Sequence, residues 1–290
     1  MRIVTHSGNF HTDDIFAVAT LLILFPDAEV VRSREAVVWK TADILVDVGG
    51  VYNPDTNHFD HHQREGAGVR KNSIPYASFG LVWKEFGEQV SGSAEARDII
   101  DEKLAMPIDA IDNGVSLSSP KFPGVREYTL YDYLSAYIDP EETGPDRLLQ
   151  TFMSLVVIAR DLLVREVAIA KKIVEDTNNV REIINRTEDK NIVVIPGRMH
   201  WERAVAEVPE VIYVVYPRRE GSWGVRAVSK GNDGFDRKKS LPEAWVGKEA
   251  GDLASITGVP DVMFIHKGRH LASTKSKEGA IKLAEIALKS

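Results

Sequence analysis

No cysteine occurs anywhere in the chain. That excludes disulfides, thiolate zinc sites, iron–sulfur clusters and a thiol nucleophile. Long apolar runs are missing as well: residues 15–25 (IFAVATLLILF) form the longest near-continuous one, short of the roughly 20 residues that cross a bilayer. Nor is there an excess of positive charge. Lys plus Arg number 36 against 43 Asp plus Glu, and 36 − 43 leaves −7. Bulk charge therefore gives no strong attraction to nucleic acid, although a local basic groove is not excluded. Met1-Arg2-Ile3-Val4 leads straight into a strand-like run, so no signal or transit peptide is read and a cytoplasmic, membrane-free protein is the expectation. What is present, 43% hydrophobic and 27% charged residues over 290 positions, is an ordinary soluble composition, long enough for about two domains.

The order of segments predicts an α/β fold. Strand-like runs at residues 2–5, 29–32 and 43–50, the last ended by a Gly pair, alternate with a helix-length segment at 12–25, the pattern of a parallel sheet covered by helices. Residues 54–68 are polar and carry three histidines, and read as a functional loop. Residues 75–113 read as helical with stops near Gly87 and Gly114, and residues 116–124 (SLSSPKFPG) as a linker. From about 146 to 185 no Gly or Pro interrupts a long helical pattern. Strand-like runs follow at 191–195, 211–216, 222–229, 262–266 and 270–273, before a closing helix at 275–288. The expected organisation is a catalytic domain over 1–124, a helical connector over 125–190 and a smaller α/β lobe over 191–290.

Chemistry-bearing side chains are concentrated near the start. Five of the eight histidines, His6, His11, His58, His61 and His62, fall within the first 62 residues, beside many aspartates. His6, His11, Asp13 and Asp14 lie where the first strand gives way to the first helix, and ligands in open α/β sheets gather at the carboxyl ends of strands. Capping of the helix by Thr12 or Asp13 is the bland alternative. Asp47 ends the strand Ile44-Leu45-Val46 directly before Val48-Gly49-Gly50. Asn57-His58-Phe59-Asp60-His61-His62-Gln63 has no comfortable structural reading, because adjacent imidazoles are costly in a core and unnecessary on a surface. In Ile108-Asp109-Ala110-Ile111-Asp112-Asn113-Gly114, two aspartates three apart share one helix face. Imidazole and carboxylate without thiolate suit Mn²⁺, Fe²⁺, Co²⁺, Ni²⁺ or Zn²⁺ better than Ca²⁺. So many ligands exceed the needs of one ion and fit a pair bridged by a carboxylate, as in phosphoester hydrolases.

Asp60-His61-His62 and strand-end Asp47 resemble the third and second motifs of the DHH phosphoesterase superfamily, which includes manganese-type pyrophosphatases, single-strand exonucleases and small-oligonucleotide phosphodiesterases. The first motif departs from the usual His-x₃-Asp-x-Asp: here it is His6-x₄-His11-x-Asp13. With Gly8, Phe10, VDVGG, DHHQR, AIDNG and the carboxy-terminal Pro242-Glu243-Ala244-Trp245, Ile256-Thr257-Gly258-Val259-Pro260, Phe264-Ile265-His266 and Lys277-Glu278-Gly279-Ala280, the chain closely resembles the Myg (melanocyte-proliferating-gene) family along nearly its whole length. The resemblance implies a two-lobed metal-dependent hydrolase, with 3′→5′ RNA exonuclease activity described for a eukaryotic member. Eukaryotic members carry organelle-targeting sequences that are not read in this chain, so mitochondrial or nuclear placement is not expected from the resemblance.

Carried over by residue, the resemblance implies that His6, His11 and Asp47 hold one divalent ion and that Asp13, Asp47, His61 and Asp112 hold a second. Asp47 then bridges, and Asp14 and Asp109 are rivals to Asp13 and Asp112. Mn²⁺ is the leading ion, with Fe²⁺, Co²⁺, Ni²⁺, Zn²⁺ or Mg²⁺ as alternatives. His62 matches the position that meets the scissile phosphate, and Asp60 a carboxylate that orients a neighbouring imidazole. Two divalent ions bring +4 and the three aspartates −3, so a phosphate meets a net +1 before hydroxide binds, and His11 in place of an aspartate favours softer ions than Mg²⁺. Candidate cations for the substrate are Arg64, Arg70 and Lys71 near the histidine pair and Arg218, Lys267 and Arg269 in the second lobe, with His266 beside them. Trp83, Trp201, Trp223 and Trp245 could stack bases, but core packing suits most of them better, Trp223 least. The expected activity is a two-metal phosphodiesterase acting on RNA or short oligonucleotides. The alternatives are a small-molecule phosphohydrolase, such as a pyrophosphatase or cyclic-dinucleotide phosphodiesterase, and a metal-binding regulator without turnover. Homo-oligomer formation is left open.

Overall fold

Ile3 and Val4, β-branched or apolar on both faces, are fully buried in strand β1 (Arg2–Thr5), which runs parallel to β2 (Glu29–Arg32) on one side and β3 (Ile44–Val46) on the other. In this computed structural model, which describes residues 1–231 and 236–290, β3 continues the sheet to β5 (His58–Phe59), and β5 pairs antiparallel with β4 (Tyr52–Asn53). The sheet order β2-β1-β3-β5-β4 places the carboxyl ends of β1, β3 and β5 side by side. The expected loop at 54–68 therefore contributes a short strand: Phe59 is buried and draws His58 into register with Leu45.

Helix α1 (Thr12–Leu24) starts at an N-cap His11 whose backbone N–H donates to the Asp14 carboxylate at 3.0 Å. Asp13 and Asp14 in the first turn also suit the positive end of the helix dipole. Its buried face meets α3 (Ser78–Ser91), with the Phe16 and Phe79 rings 5.3 Å apart. A four-residue helix, α2 (Ala36–Trp39), lies between β2 and β3 in sequence. Helix α4 (Ala94–Ile100) passes through a π-helical turn, Asp101–Ala105, into α5 (Met106–Asp112), and α6 spans Leu130–Ser135.

The chain forms two compact units, Met1–Lys171 and Lys172–Ser290, divided inside one continuous helix, α7 (Pro145–Arg186). The sequence placed boundaries at 124 and 190. The difference lies in the buried stripe of α7: Phe152, Leu155, Val156, Ala159, Leu163, Val167 and Ala170 are buried in the first unit, whereas Val180 and Ile184 enter a core of the second. The second unit holds a five-stranded sheet of order β6-β7-β8-β10-β9, from β6 (Ile192–Val194), β7 (Tyr213–Pro217), β8 (Trp223–Ala227), β9 (Val262–Ile265) and β10 (Leu271–Thr274). Only β6 and β7 pair in parallel. Alternation along β7 sends Tyr213 and Val215 into one core with α9 (Ala250–Thr257) and α10 (Lys277–Lys289), and Val214 into the other with α7 and α8 (Glu202–Ala206). Trp83, Trp201 and Trp245 are buried, while Trp223 is half-buried with the Lys277 ammonium 5.8 Å from its ring centre. Among the described residues no helix is long and apolar enough to cross a membrane.

Candidate metal centre

The carboxyl ends of β1, β3 and β5, the first turn of α1 and the last residue of α5 bring together His6, His11, Asp13, Asp47, His61 and Asp112. Asp47 follows β3 in a left-handed conformation, φ +53°, which Asp tolerates better than most residues. Its N–H donates to the Phe59 carbonyl at 3.0 Å and its Oδ1 accepts from Ser78 Oγ at 2.9 Å. Gly49 and Gly50, with φ of +98° and +67°, then turn the chain away. Asp60 holds that turn: its Oδ2 accepts from the Gly50 N–H at 2.6 Å. Its Oδ1 lies 2.7 Å from His62 Nδ1 and accepts from the His62 N–H at 3.0 Å.

At the centre, His6 Nε2 lies 3.1 Å from Asp14 Oδ2 and 3.2 Å from Asp47 Oδ2. His61 Nε2 lies 3.3 Å from Asp47 Oδ1 and 3.2 Å from Asp112 Oδ2. Neither imidazole nitrogen has hydrogen-bonding geometry to these neighbours, and both are buried. Both oxygens of Asp13 and Oδ2 of Asp47 are likewise buried without a partner. Three sets of ligand atoms converge closely enough to hold an ion: His6, His11 and Asp47; His11, Asp13 and Asp112; and Asp47, His61 and His62. Buried polar atoms left without partners cost free energy, and buried carboxylates in a group cost far more. Burial, then Asp47 and Asp112, push the Asp13 carboxyl well above the usual range. Burial pulls the His6 imidazole down, but Asp14 and Asp47 outweigh it and raise its pKa to about 9. Burial opposes ionisation of Asp47, yet His6 and His61 hold its pKa below the ordinary value. Such a donor set fits divalent cations, which would neutralise these carboxylates and partner the orphaned atoms.

The two rival aspartates are differently committed. Asp14 spends Oδ1 on the His11 amide, whereas Asp13 spends neither oxygen. Asp109 accepts from the Gly80 N–H at 2.9 Å and pairs with Arg70 at 2.7 Å, while Asp112 faces His61. Arg70, expected to meet substrate, is instead buried between Asp101 (2.7 Å) and Asp109, with Tyr76 stacked on its guanidinium at 4.1 Å. That correction has a plain cause, since two carboxylates already occupy the fork. Arg64 and Lys71 are exposed with no carboxylate partner among the described residues. His62 is 59% exposed at its side chain. Asp60 raises its pKa and is itself held below its ordinary value, with His62 and two backbone amides outweighing burial.

In the second unit, Arg218 pairs with Glu220 at 3.0 Å. Arg269 has a left-handed backbone, φ +58°, and its Nε donates to the Leu241 carbonyl at 2.7 Å. Lys267 is exposed beside His266, whose Nδ1 accepts from the Gly268 N–H at 2.9 Å.

Several contributors to the first unit's site escaped the sequence reading. Arg34 Nη2 lies 3.1 Å from His6 Nδ1 and its Nε donates to the Ser7 carbonyl. Arg32 donates to the Gly8 carbonyl and stands over the Phe10 ring at 4.8 Å. Both sit at the carboxyl end of β2, next to β1, which was the available signal. Arg34 and Trp39 join His6, Asp47 and His62 around a cleft of about 440 Å³.

Comparison with known proteins gives one consistent picture. Residues 2–288 match the sequence profile MYG1_exonuc, described as an uncharacterised protein family, UPF0160. The chain is similar to MYG1 exonuclease of Mus musculus, 27% identical over 99% of this chain and 84% of that one. It is also similar to MYG1 protein C694.04c of Schizosaccharomyces pombe, 30% identical over 99% and 97% of the two chains, and to MYG1 exonuclease of Homo sapiens, 26% identical over 99% and 85%.

Proposed function

Because the chain belongs to the MYG1_exonuc family, UPF0160, we propose that it is a metal-dependent phosphodiesterase that shortens RNA or short oligonucleotides from an end. What carries the proposal is the convergence of buried, unpartnered Asp13 and Asp47 oxygens with the His6 and His61 nitrogens. Relatives that carry the name exonuclease support the substrate class. The 3′→5′ direction and the DHH-type two-lobed arrangement follow from the family resemblance and are part of the same proposal.

His6, His11 and Asp47 would hold one divalent cation, Mn²⁺ by preference, and Asp13, Asp47, His61 and Asp112 would hold the other. Bound there, the pair supplies Lewis acidity to phosphoryl oxygens and acidifies water near neutral pH. If Nε2 of His6 serves as the ligand, its Nδ1 is left between the Ser7 carbonyl at 3.3 Å and the Arg34 guanidinium at 3.1 Å. Asp60 fixes the His62 tautomer, keeping the proton on Nδ1 and leaving Nε2 toward the cleft. A protonated His62 then stabilises charge that develops on an equatorial phosphoryl oxygen. Arg64 and Lys71, exposed just past the histidine pair, are free to meet backbone phosphates. The net charge of −7 argues for short substrates, which need few such contacts.

The test is a parallel assay of the Mn²⁺-loaded protein with end-labelled RNA, DNA oligomers, a cyclic dinucleotide and pyrophosphate, with metal content measured alongside. Stepwise shortening of the RNA, lost together with bound metal in Asp47→Ala, is the expected result. Phosphate release from pyrophosphate alone would move the protein to the small-molecule hydrolases. Inactivity on all four with metal bound would make it a regulator.

A further inference from the structure

Sharing His11 with the polar cleft, a second cavity of about 500 Å³ is lined by both His11 and Asp112. We infer that this cavity seats the nucleoside part of a single nucleotide, placing its base against Tyr131 while its phosphate lies at the metal centre. The inference rests on the phosphodiesterase function proposed above and deepens it by naming the group that sits beside the scissile phosphate.

Three features of the cavity select that occupant. Its size lies within the about 300–1,000 Å³ typical of small-ligand sites. The walls away from the ligands are apolar, from Leu104 in the π-helical turn, Pro107 at the start of α5, Ile111 near its end, and Leu130 and Tyr131 of α6. Ile111 and Tyr131 remain 37% and 46% exposed, apolar surface that a planar group would cover. The only cation on the lining, Lys103, is engaged by Glu166 at 2.5 Å. A second phosphate, as in pyrophosphate, would have to compete with Glu166 for that ammonium, whereas an uncharged base needs no cation. Since His11 belongs to two of the candidate ligand sets and lines both spaces, a ligand in the apolar cavity reaches the Asp13 and Asp112 side of the centre without leaving the first unit.

Titration of the Mn²⁺-loaded full chain with adenosine 5′-monophosphate and, separately, inorganic phosphate tests the assignment by calorimetry, with metal content recorded for each variant. The nucleotide should bind at least about ten-fold more tightly than phosphate, in line with the contribution of one base stacked on an aromatic ring. Tyr131→Ala should erase most of that preference while leaving phosphate affinity and metal content unchanged, and Tyr131→Phe should restore it. Equal affinities for the two ligands, or a preference that survives Tyr131→Ala, would overturn the pocket while leaving the metal centre intact. Failure to bind both metal and phosphate would instead sink the phosphodiesterase function, and the pocket with it.

Discussion

At the scale of single residues, neighbours with the same side chain have different tasks. Asp13 and Asp14 are adjacent and equally buried, yet only Asp14 closes the capping box on the His11 amide. Asp13→Asn should therefore strip bound metal, read by elemental analysis of the purified protein. Asp14→Ala should keep metal while lowering stability by about 1 kcal/mol, the usual worth of a helix cap, in a urea titration. Metal retained in Asp13→Asn would reverse the assignment. His62 differs from His61 in the same manner: its Nδ1 is taken by Asp60, so His62→Ala should leave metal content unchanged and lower kcat by about 100-fold or more. Single-turnover assays at matched metal occupancy decide this, and loss of metal would make His62 a ligand.

At the scale of elements, α5 is positioned by an interior ion network. Gly80 on α3 lies directly beneath it. A Cβ there would collide with Asp109 Oδ2 and the Arg70 guanidinium, which are tied to each other and to Asp101 and the Gly80 N–H. Gly80→Ala should cost about 1–3 kcal/mol, as overpacking does, and disturb Asp112 on the same helix. Burial raises the Asp109 carboxyl to about 7, and a guanidinium shared with Asp101 only partly opposes it. An unfolded Asp109 loses its proton near pH 4, before the folded one, so the folded state binds more protons between about pH 4 and 7. The wild-type protein should therefore lose stability relative to Asp109→Asn as pH rises across that window. A difference that stays flat in chemical denaturation from pH 4 to 8 would contradict it.

Helices and strands with strong periodicity were legible from the residues alone. The expected 12–25 and 146–185 compare with Thr12–Leu24 and Pro145–Arg186, and 29–32 matches Glu29–Arg32. Two-residue strands such as β5 were not, because so short a run has no period to read, and only pairing with β3 defines it. The ligand cluster was legible because imidazoles beside aspartates have few structural uses. The fate of Arg70 was not: Asp101 and Asp109 lie far along the chain, and nothing local marks them as its partners.

For the molecule as a whole, the chain divides into two separately cored units. All of the candidate ligands lie between residues 6 and 112, in the unit Met1–Lys171. Removing metal with a chelator should lower hydrogen-exchange protection in β1, β3, residues 57–62 and α5, while the sheet of the second unit keeps its own. Ions at about 100 times their Kd stabilise a fold by about 2.7 kcal/mol, enough to register in such an experiment. Equal loss of protection in both units would mean that they unfold as one. The spacing of the ligands has a further consequence. His6 leaves the ribosome early, but the ring of donors is incomplete until Asp112 has emerged and the crossover between β1 and β3 has formed. A nascent chain short of that point carries only an open arc of imidazoles and carboxylates, so any ion the cluster is to hold would be captured only after Asp112 has emerged.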